Sequence, residues 1–457
     1  MKITVTGATG LIGKALCIKL SQLQHEVTGI VRNPGTADFL DPKQVFKWSD
    51  LDSAEASSLI TLKSTEVLIH LAGEPVAGAR WTDQQKKAIL DSRIETTEAL
   101  IRALEKLQPS ERPKVFIAAS AIGYYGDQKG GSNPNEILAE SSPKGPGFLA
   151  DVTARWEDSI LKAQKLGMRV VILRTGIVLS RLGGALSKML PVILGSGNQW
   201  MSWIHLEDEI GFIEFALNNS HVQGIYNLTA PEPVTNRTFC ELLAKAIQFP
   251  VVTQTPEAAL RVALGEMADV VLSSQRVLPT KALADGYTFK YKQLDSALKE
   301  LFPDQSNLSQ VFHAAQFIPR PINEVFTYFS EAKNLEKITP PWLNFKITGQ
   351  STPEIQNKTQ IYYKLSIHGV PVRWQTSIER WEPGVRFIDT QVKGPYKKWV
   401  HEHQFFAVPG GTLMLDHVTF QIPGRSLGKF ILGPWIKGDI QKIFHYRKKI
   451  IQETFKN

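Results

Sequence analysis

Residues 6–13 read TGATGLIG, between the apolar strand-like opening KITV and the helix-like run KALCIKLSQL, so three glycines stand where a strand turns into a helix. Few segments restrict a fold so tightly. Gly7 permits a tight turn, Gly10 lets the backbone approach an anion without an intervening side chain, and Gly13 lets the helix pack closely on the strand. The free N–H groups at the helix N-terminus then favour a pyrophosphate. The cradle of Gly7, Thr9, Gly10, Leu11, Ile12 and Gly13 is therefore read as nucleotide-binding, against the alternative of an ordinary strand–helix loop.

The next strand-like run, HEVTGIVRNP, selects the nucleotide. Folds that prefer NAD place an Asp or Glu near its end to hold the ribose diol. Arg32 stands there instead. A guanidinium matches a phosphate in charge and fork geometry, so Arg32 predicts a 2′-phosphate and hence NADP(H). The alternative is a solvated loop arginine.

A chain of 457 residues is too long for one ordinary core, and 43% hydrophobic with 21% charged residues suits a globular protein of two or three domains. The excess of 52 basic over 44 acidic residues gives +8, but no long cationic block accompanies it, so nucleic acid is not expected as a partner. Only Cys17 and Cys240 occur, far apart, which argues against a disulfide scaffold. The first strand starts at Lys2, leaving no room for a signal peptide, and no apolar run reaches a membrane span. The cytoplasm is the expected compartment.

Through the first half, the runs KITVTG, HEVTGIV, EVLIHLAG, KVFIAAS, RVVILRTGIVL and GIYNLT alternate with helical stretches such as DQQKKAILDSRIETTEALIRALEKL. Continuous Val/Ile/Leu strands alternating with helices predict an α/β fold of the Rossmann type, a doubly wound parallel sheet covered on both faces. Ligand belongs at the carboxyl ends of the strands, here Gly7 to Gly13, Arg32, Ala72 to Glu74 and Ser120 to Gly126.

With these residues in place the chain resembles the extended short-chain dehydrogenases/reductases, and more narrowly their atypical epimerase-family members. The carrying strings are HLAGEP (70–75), RWT (80–82), SAIGYYGD (120–127), PVILGSGNQWMSWIHLED (191–208) and YNLTAPEPVTN (226–236). The resemblance covers about residues 1–302, with 1–235 as the NADP-binding domain and 236–302 as a helical extension that closes it. It implies NADP(H) contacts from the glycine loop, Arg32, Ala72, Gly73, Glu74, Arg80 and Ser120. It also implies a catalytic Tyr and Lys four residues apart on a helix, where the ammonium lowers the phenol's pKa. In GFLADVTARWEDSILKAQ (147–164), counting back from Glu157, those places fall near Leu149 and Thr153, and neither can move a proton in that way.

The remaining candidates for chemistry are Ser120, Tyr124 and Tyr125, with the alternative that Ser120 orients cofactor and the tyrosines cap the loop. His205 in SWIHLED is a further acid or base near the pocket, more readily read as anchoring the loop before EIGFIEFAL.

After ALKELFPDQSNLSQ the chain changes character, and residues 303–310 read as a linker. From 311 to 457 the order is a strand, two short helices, six strands of alternating polarity and a helical stretch beginning SLGKFILGPW. This is the order of a helix-grip α+β domain. The strings IPRPINEVFTYFS, LEKITPPWLNFKI and VPVRWQTSIERWEPGVRFIDTQVKGPYKKWVHEHQF resemble the START-like, or SRPBCC, superfamily, which implies an apolar ligand between sheet and helix. Of Trp342, Trp374, Trp381, Trp399 and Trp435, about two are expected to line that cavity. Arg373, His401, Glu402 and His403 are the polar residues expected at the cavity or its mouth. His401 and His403 share a strand face, but no third metal ligand is evident, so no metal is assigned. Lys437, Lys442, Arg447, Lys448 and Lys449 give the last helix a basic amphipathic look; a cover helix explains it, and membrane contact is not expected. Pro434 marks a kink or a late start of that helix.

Two readings stay open. One is an NADP-dependent oxidoreductase or epimerase acting on an apolar small molecule. The other, favoured by the missing Tyr-Lys pair, is a non-catalytic sensor or ligand carrier governed by NADPH. Subunit number is not legible.

Overall fold

The Val/Ile/Leu runs of the first half become strands whose two faces are both covered, as a parallel sheet requires. In the computed structural model, which describes residues 1–49, 61–77, 80–129, 133, 135–249, 252–303, 309–423 and 425–456, the chain divides into two compact units. The first contains β1 (Lys2–Thr6), β2 (Glu26–Val31), β3 (Val45–Lys47), β4 (Val67–His70), β5 (Val115–Ala121), β6 (Arg169–Thr175) and β7 (Gly224–Leu228). They form one seven-stranded parallel sheet in the order β7-β6-β5-β4-β1-β2-β3. The strand order reverses between β1 and β4, and that point opens the crevice at the carboxyl edge.

Helices α1 (Leu11–Gln22), α2 (Asp83–Glu105), α3 (Phe148–Leu161) and α4 (Leu206–Asn218) belong to the same unit. Leu100 and Leu104 of α2 and Trp156 and Ile160 of α3 bury their apolar stripe against Leu68, Phe116 and Ile172 of the sheet. Farther along, α5 (Asn236–Ala246) and α6 (Leu294–Leu301) bring Phe239, Leu243, Leu294 and Leu298 onto Trp203. Both cysteines are buried free thiols. The expected linker at 303–310 falls largely outside the described residues.

In the second unit, alternation of apolar and polar positions yields an antiparallel sheet. Its strands are β8 (Ser309–Ile318), β9 (Lys346–Gln350), β10 (Gln360–Ile367), β11 (Val370–Glu382), β12 (Arg386–Lys393), β13 (Lys398–Val408) and β14 (Gly411–Gln421), in the order β8-β14-β13-β12-β11-β10-β9. Helices α7 (Ile322–Ser330) and α8 (Ala332–Ile338) follow β8, and α9 (Arg425–Thr454) follows β14. Ile440 and Phe444 of α9 pack on Val418 and Phe420, while Ile451 packs with Phe405 and Met414. α9 begins nine residues before Pro434 and continues through it, so the helix does not start late. Among the described residues, no helix is long and apolar enough to cross a membrane.

Candidate functional site

The glycine loop lies between the end of β1 and the start of α1. Gly7 has φ +69°, and a Cβ on it would come within 2.7 Å of the Leu71 carbonyl carbon. A Cβ on Gly13 would fall inside contact distance of the Gly7 carbonyl, whereas one on Gly10 would stand 3.3 Å from that oxygen. Two positions thus admit only glycine, and the third is kept bare where Thr9 and Gly10 are exposed. Gly10 N donates to Gly7 O at 3.0 Å and Lys14 N to Gly10 O at 2.9 Å, which starts the helix. Leu11 and Ile12 are half-buried in its first turn. Exposed backbone at a helix N-terminus, on a sheet's carboxyl edge, fits the pyrophosphate of a dinucleotide.

Arg32 directly follows β2 with its side chain 88% exposed, and its Nη1 stands 3.6 Å from Glu74 Oε2. The structure therefore brings the ends of β2 and β4 together. Gly73 is crowded by Arg93, whose Cζ would lie 3.4 Å from a Cβ there. Arg93 donates to the carbonyls of Glu74 and Ile89, and Ser92 Oγ accepts from Glu74 N at 3.0 Å. Burial lowers the Arg93 pKa to about 10, so it stays charged. This arginine shapes the Ala72–Glu74 stretch, and sequence reasoning missed it because its partners lie 4 and 19 residues away. Arg80 is placed apart from this group, against Gly265.

Ser120, at the end of β5, donates to Glu157 Oε1 at 2.6 Å. Glu157 also receives a two-pronged bond from Arg174, at 2.8 and 2.7 Å. Arg174 Nη1 donates to Tyr125 Oη at 3.0 Å, and that hydroxyl reaches Asn227 Oδ1 at 2.7 Å and Ala139 O at 2.9 Å. All five side chains are buried. Burial also pushes the Tyr125 phenol up. Tyr125 is thus fixed inside a closed polar network and is poorly placed to exchange a proton with a substrate. Tyr124 differs: it is half-buried, its hydroxyl has no hydrogen-bond partner among the described residues, and the Arg174 guanidinium lies 3.4 Å from its ring centroid.

The positions at which the resemblance implies Tyr and Lys do face this place. A Cβ on Gly123 would lie 3.4 Å from Leu149 Cβ and 3.5 Å from Thr153 Oγ1. Thr153 Oγ1 donates to Leu149 O, an ordinary local helix bond. His205 caps α4 by accepting from Glu207 N through Nδ1, and its Nε2 meets Glu300 at 3.1 Å. Its role is structural.

The second unit holds a cavity of about 880 Å³. All five tryptophans, Trp342, Trp374, Trp381, Trp399 and Trp435, line it, where about two were expected. Each sits on an element that borders the same hollow, which spacing along the chain does not reveal. His401 and His403 line it too, but Arg373 is exposed outside and Glu402 pairs with Arg386 on the other face. The register supplies what the sequence hid. Asp389 of β12 stands opposite His401, and Asp416 of β14 opposite His403. Arg447 is also buried here, so it is not part of a solvated basic face. Burial and the neighbouring His403 push the His401 imidazole down to about 4. Burial opposes the charge of Asp416, but Arg447 and the two imidazoles hold its carboxyl well below the usual range.

The profile of the NAD dependent epimerase/dehydratase family matches residues 3–229, and that of a domain of unknown function, DUF1731, matches 255–301. The chloroplastic epimerase family protein SDR39U1 homolog of Arabidopsis thaliana is 36% identical over 308 residues, 66% of this chain and 86% of its own. Epimerase family protein YfhF of Bacillus subtilis is 33% identical over 314 residues, 67% of this chain and 100% of its own. Among solved structures, human epimerase family protein SDR39U1 (isoform 2) with NADPH superposes with a TM-score of 0.58 at 30% identity, over 66% of this chain and 100% of that one. A nucleoside-diphosphate sugar epimerase from Corynebacterium glutamicum gives 0.52 at 30% identity, over 66% of this chain and 58% of that one.

Proposed function

Because the chain belongs to the NAD dependent epimerase/dehydratase family, we propose that its first unit binds NADP(H) and acts on an apolar small molecule, while the second unit is a START-like helix-grip domain that holds such a ligand. On this reading residues 1–235 carry the cofactor, 236–302 close that fold, and 311–457 form the ligand domain. The observation that carries it is the glycine loop, where a Cβ at Gly7 or Gly13 would strike backbone, beside an exposed Arg32 and with no acidic residue directly after β2. The human relative crystallised with NADPH supports the same cofactor.

When bound, the nicotinamide supplies a hydride donor or acceptor. Free backbone N–H groups of the glycine loop would hold the pyrophosphate, and Arg32, only loosely paired with Glu74, would hold the 2′-phosphate. The stretch from Ala72 to Glu74, fixed by Arg93 and Ser92, would help hold the cofactor. Ser120 and Tyr125 are positioning residues: through Glu157 and Arg174 they hold the loop that presents Tyr124. Tyr124 is the proton donor of choice, since its hydroxyl is uncommitted and a guanidinium lies over its ring.

The second reading, an NADPH-governed carrier without turnover, is favoured by Leu149 and Thr153 at the Gly123 face, since neither can move a proton as Tyr and Lys do. One experiment separates them. Purified full-length protein with NADPH is incubated with a small-molecule extract while cofactor oxidation is followed. The enzyme predicts turnover that falls at least tenfold in Tyr124→Phe with NADPH affinity unchanged. Stable NADPH together with an apolar molecule retained on native mass spectrometry overturns it in favour of the carrier.

A further inference from the structure

The second unit gathers Asp389, His401, His403 and Arg447 in the wall of a largely apolar cavity, with Asp416 beside them, although the cofactor reading of the first unit gives them nothing to do. Their arrangement has a direction. Asp416 Oδ1 lies 2.9 Å from His401 Nε2 and 2.8 Å from His403 Nδ1. An ionised carboxylate only accepts, so His401 carries its proton on Nε2. Arg447 Nη2 donates to His403 Nδ1 at 3.2 Å, so His403 carries its proton on Nε2, and the guanidinium, 3.6 Å from Asp416 Oδ1, balances the charge of Asp416.

The other two ring nitrogens both face one oxygen. His403 Nε2 is 3.3 Å from Asp389 Oδ2, and His401 Nδ1 is 3.6 Å from the same atom. Each of Asp389, His401 and His403 offers one such atom within 4.8 Å of the others. His403 Nε2 donates its proton to that oxygen, a proton that a bound cation would replace, while His401 Nδ1 faces it with a lone pair. Donors about 2.0–2.2 Å from a shared ion stand roughly 3.0–3.5 Å apart, close to the separations found here. Behind the rings, Asp416 accepts from His401 and Arg447 donates to His403, the kind of partners that fix ligand tautomers in metal sites.

We propose that Asp389, His401 and His403 form a binding site for a divalent first-row transition ion, with Asp416 as the positioning residue behind both imidazoles. Two histidines and one carboxylate on one face leave further coordination positions open toward the cavity. The site follows from strand register. His401 and His403 alternate onto one face of β13, and β12 and β14 each bring an aspartate to that face.

The test uses untagged full-length protein, stripped with chelator and titrated with Zn²⁺ by calorimetry and with Co²⁺ by visible absorption. One equivalent per chain is expected, with a Co²⁺ spectrum of nitrogen and oxygen ligation. Asp389→Asn and His403→Gln are each expected to lose saturable binding. Asp416→Asn is expected to weaken it about 10–100-fold, as removal of such a partner does elsewhere. NADPH binding and circular dichroism monitor folding of the variants; if His403→Gln does not fold, the near-isosteric Asp389→Asn decides. Absence of a stoichiometric ion, or wild-type Zn²⁺ affinity in folded Asp389→Asn, overturns the proposal.

Discussion

Glu157 joins β5, α3 and β6 through a single carboxylate that accepts from Ser120 and, on both oxygens, from Arg174. Removing the charge leaves a guanidinium that is 2% exposed without its counterion. Breaking a buried pair from one side costs about 3–5 kcal/mol, so Glu157→Gln is expected to destabilise the first unit by that order in urea unfolding. A loss within error of zero would mean that Tyr125 and solvent compensate. The same residue shows what could be read beforehand. The tight turn at Gly7, Gly10 and Gly13 was legible because its geometry is local, a turn followed by a helix start. Arg93, Asp389 and Asp416 were not, because each acts on a residue that is near only after the fold closes.

At the scale of elements, α4 carries Glu209 in its first turn, its side chain buried with Thr175 donating to Oε1 while Oε2 has no hydrogen-bond partner among the described residues. Burial raises its carboxyl to about 8, against 4.5 ordinarily. Between those values the folded protein binds the proton and the unfolded chain releases it, so stability is full below about pH 4.5 and declines as pH rises toward 8. Glu209→Gln removes that dependence. The variant's stability relative to wild type should therefore increase from pH 5 to pH 8, by at most about 1.4 kcal/mol per unit, in denaturant melts at fixed salt. A difference that does not change with pH would place the Glu209 carboxyl near its ordinary value. Strand and helix identities were largely readable: the six strands of alternating polarity expected after the two short helices are β9 to β14. β3 was missed because a three-residue edge strand leaves too short an apolar run to stand out. Leu149 and Thr153, reached by counting back along α3 from Glu157, lie against Gly123.

Across the whole molecule, the sequence signalled a parallel sheet followed by an antiparallel one, since hydrophobic period distinguishes strands covered on both faces from strands covered on one. What it left out is convergence: five tryptophans separated by as many as 93 positions around one cavity, and two unlike carboxylates at one pair of histidines. The account rests on the dinucleotide in the first unit, and isothermal calorimetry of the full-length protein with NADPH and NADH tests it most directly. NADPH is expected to bind the more tightly, and Arg32→Ala to reduce that preference about 10–100-fold, the worth of one charge-assisted contact. Failure of either form of NADP(H) to bind, or an unaltered preference in Arg32→Ala, would contradict it.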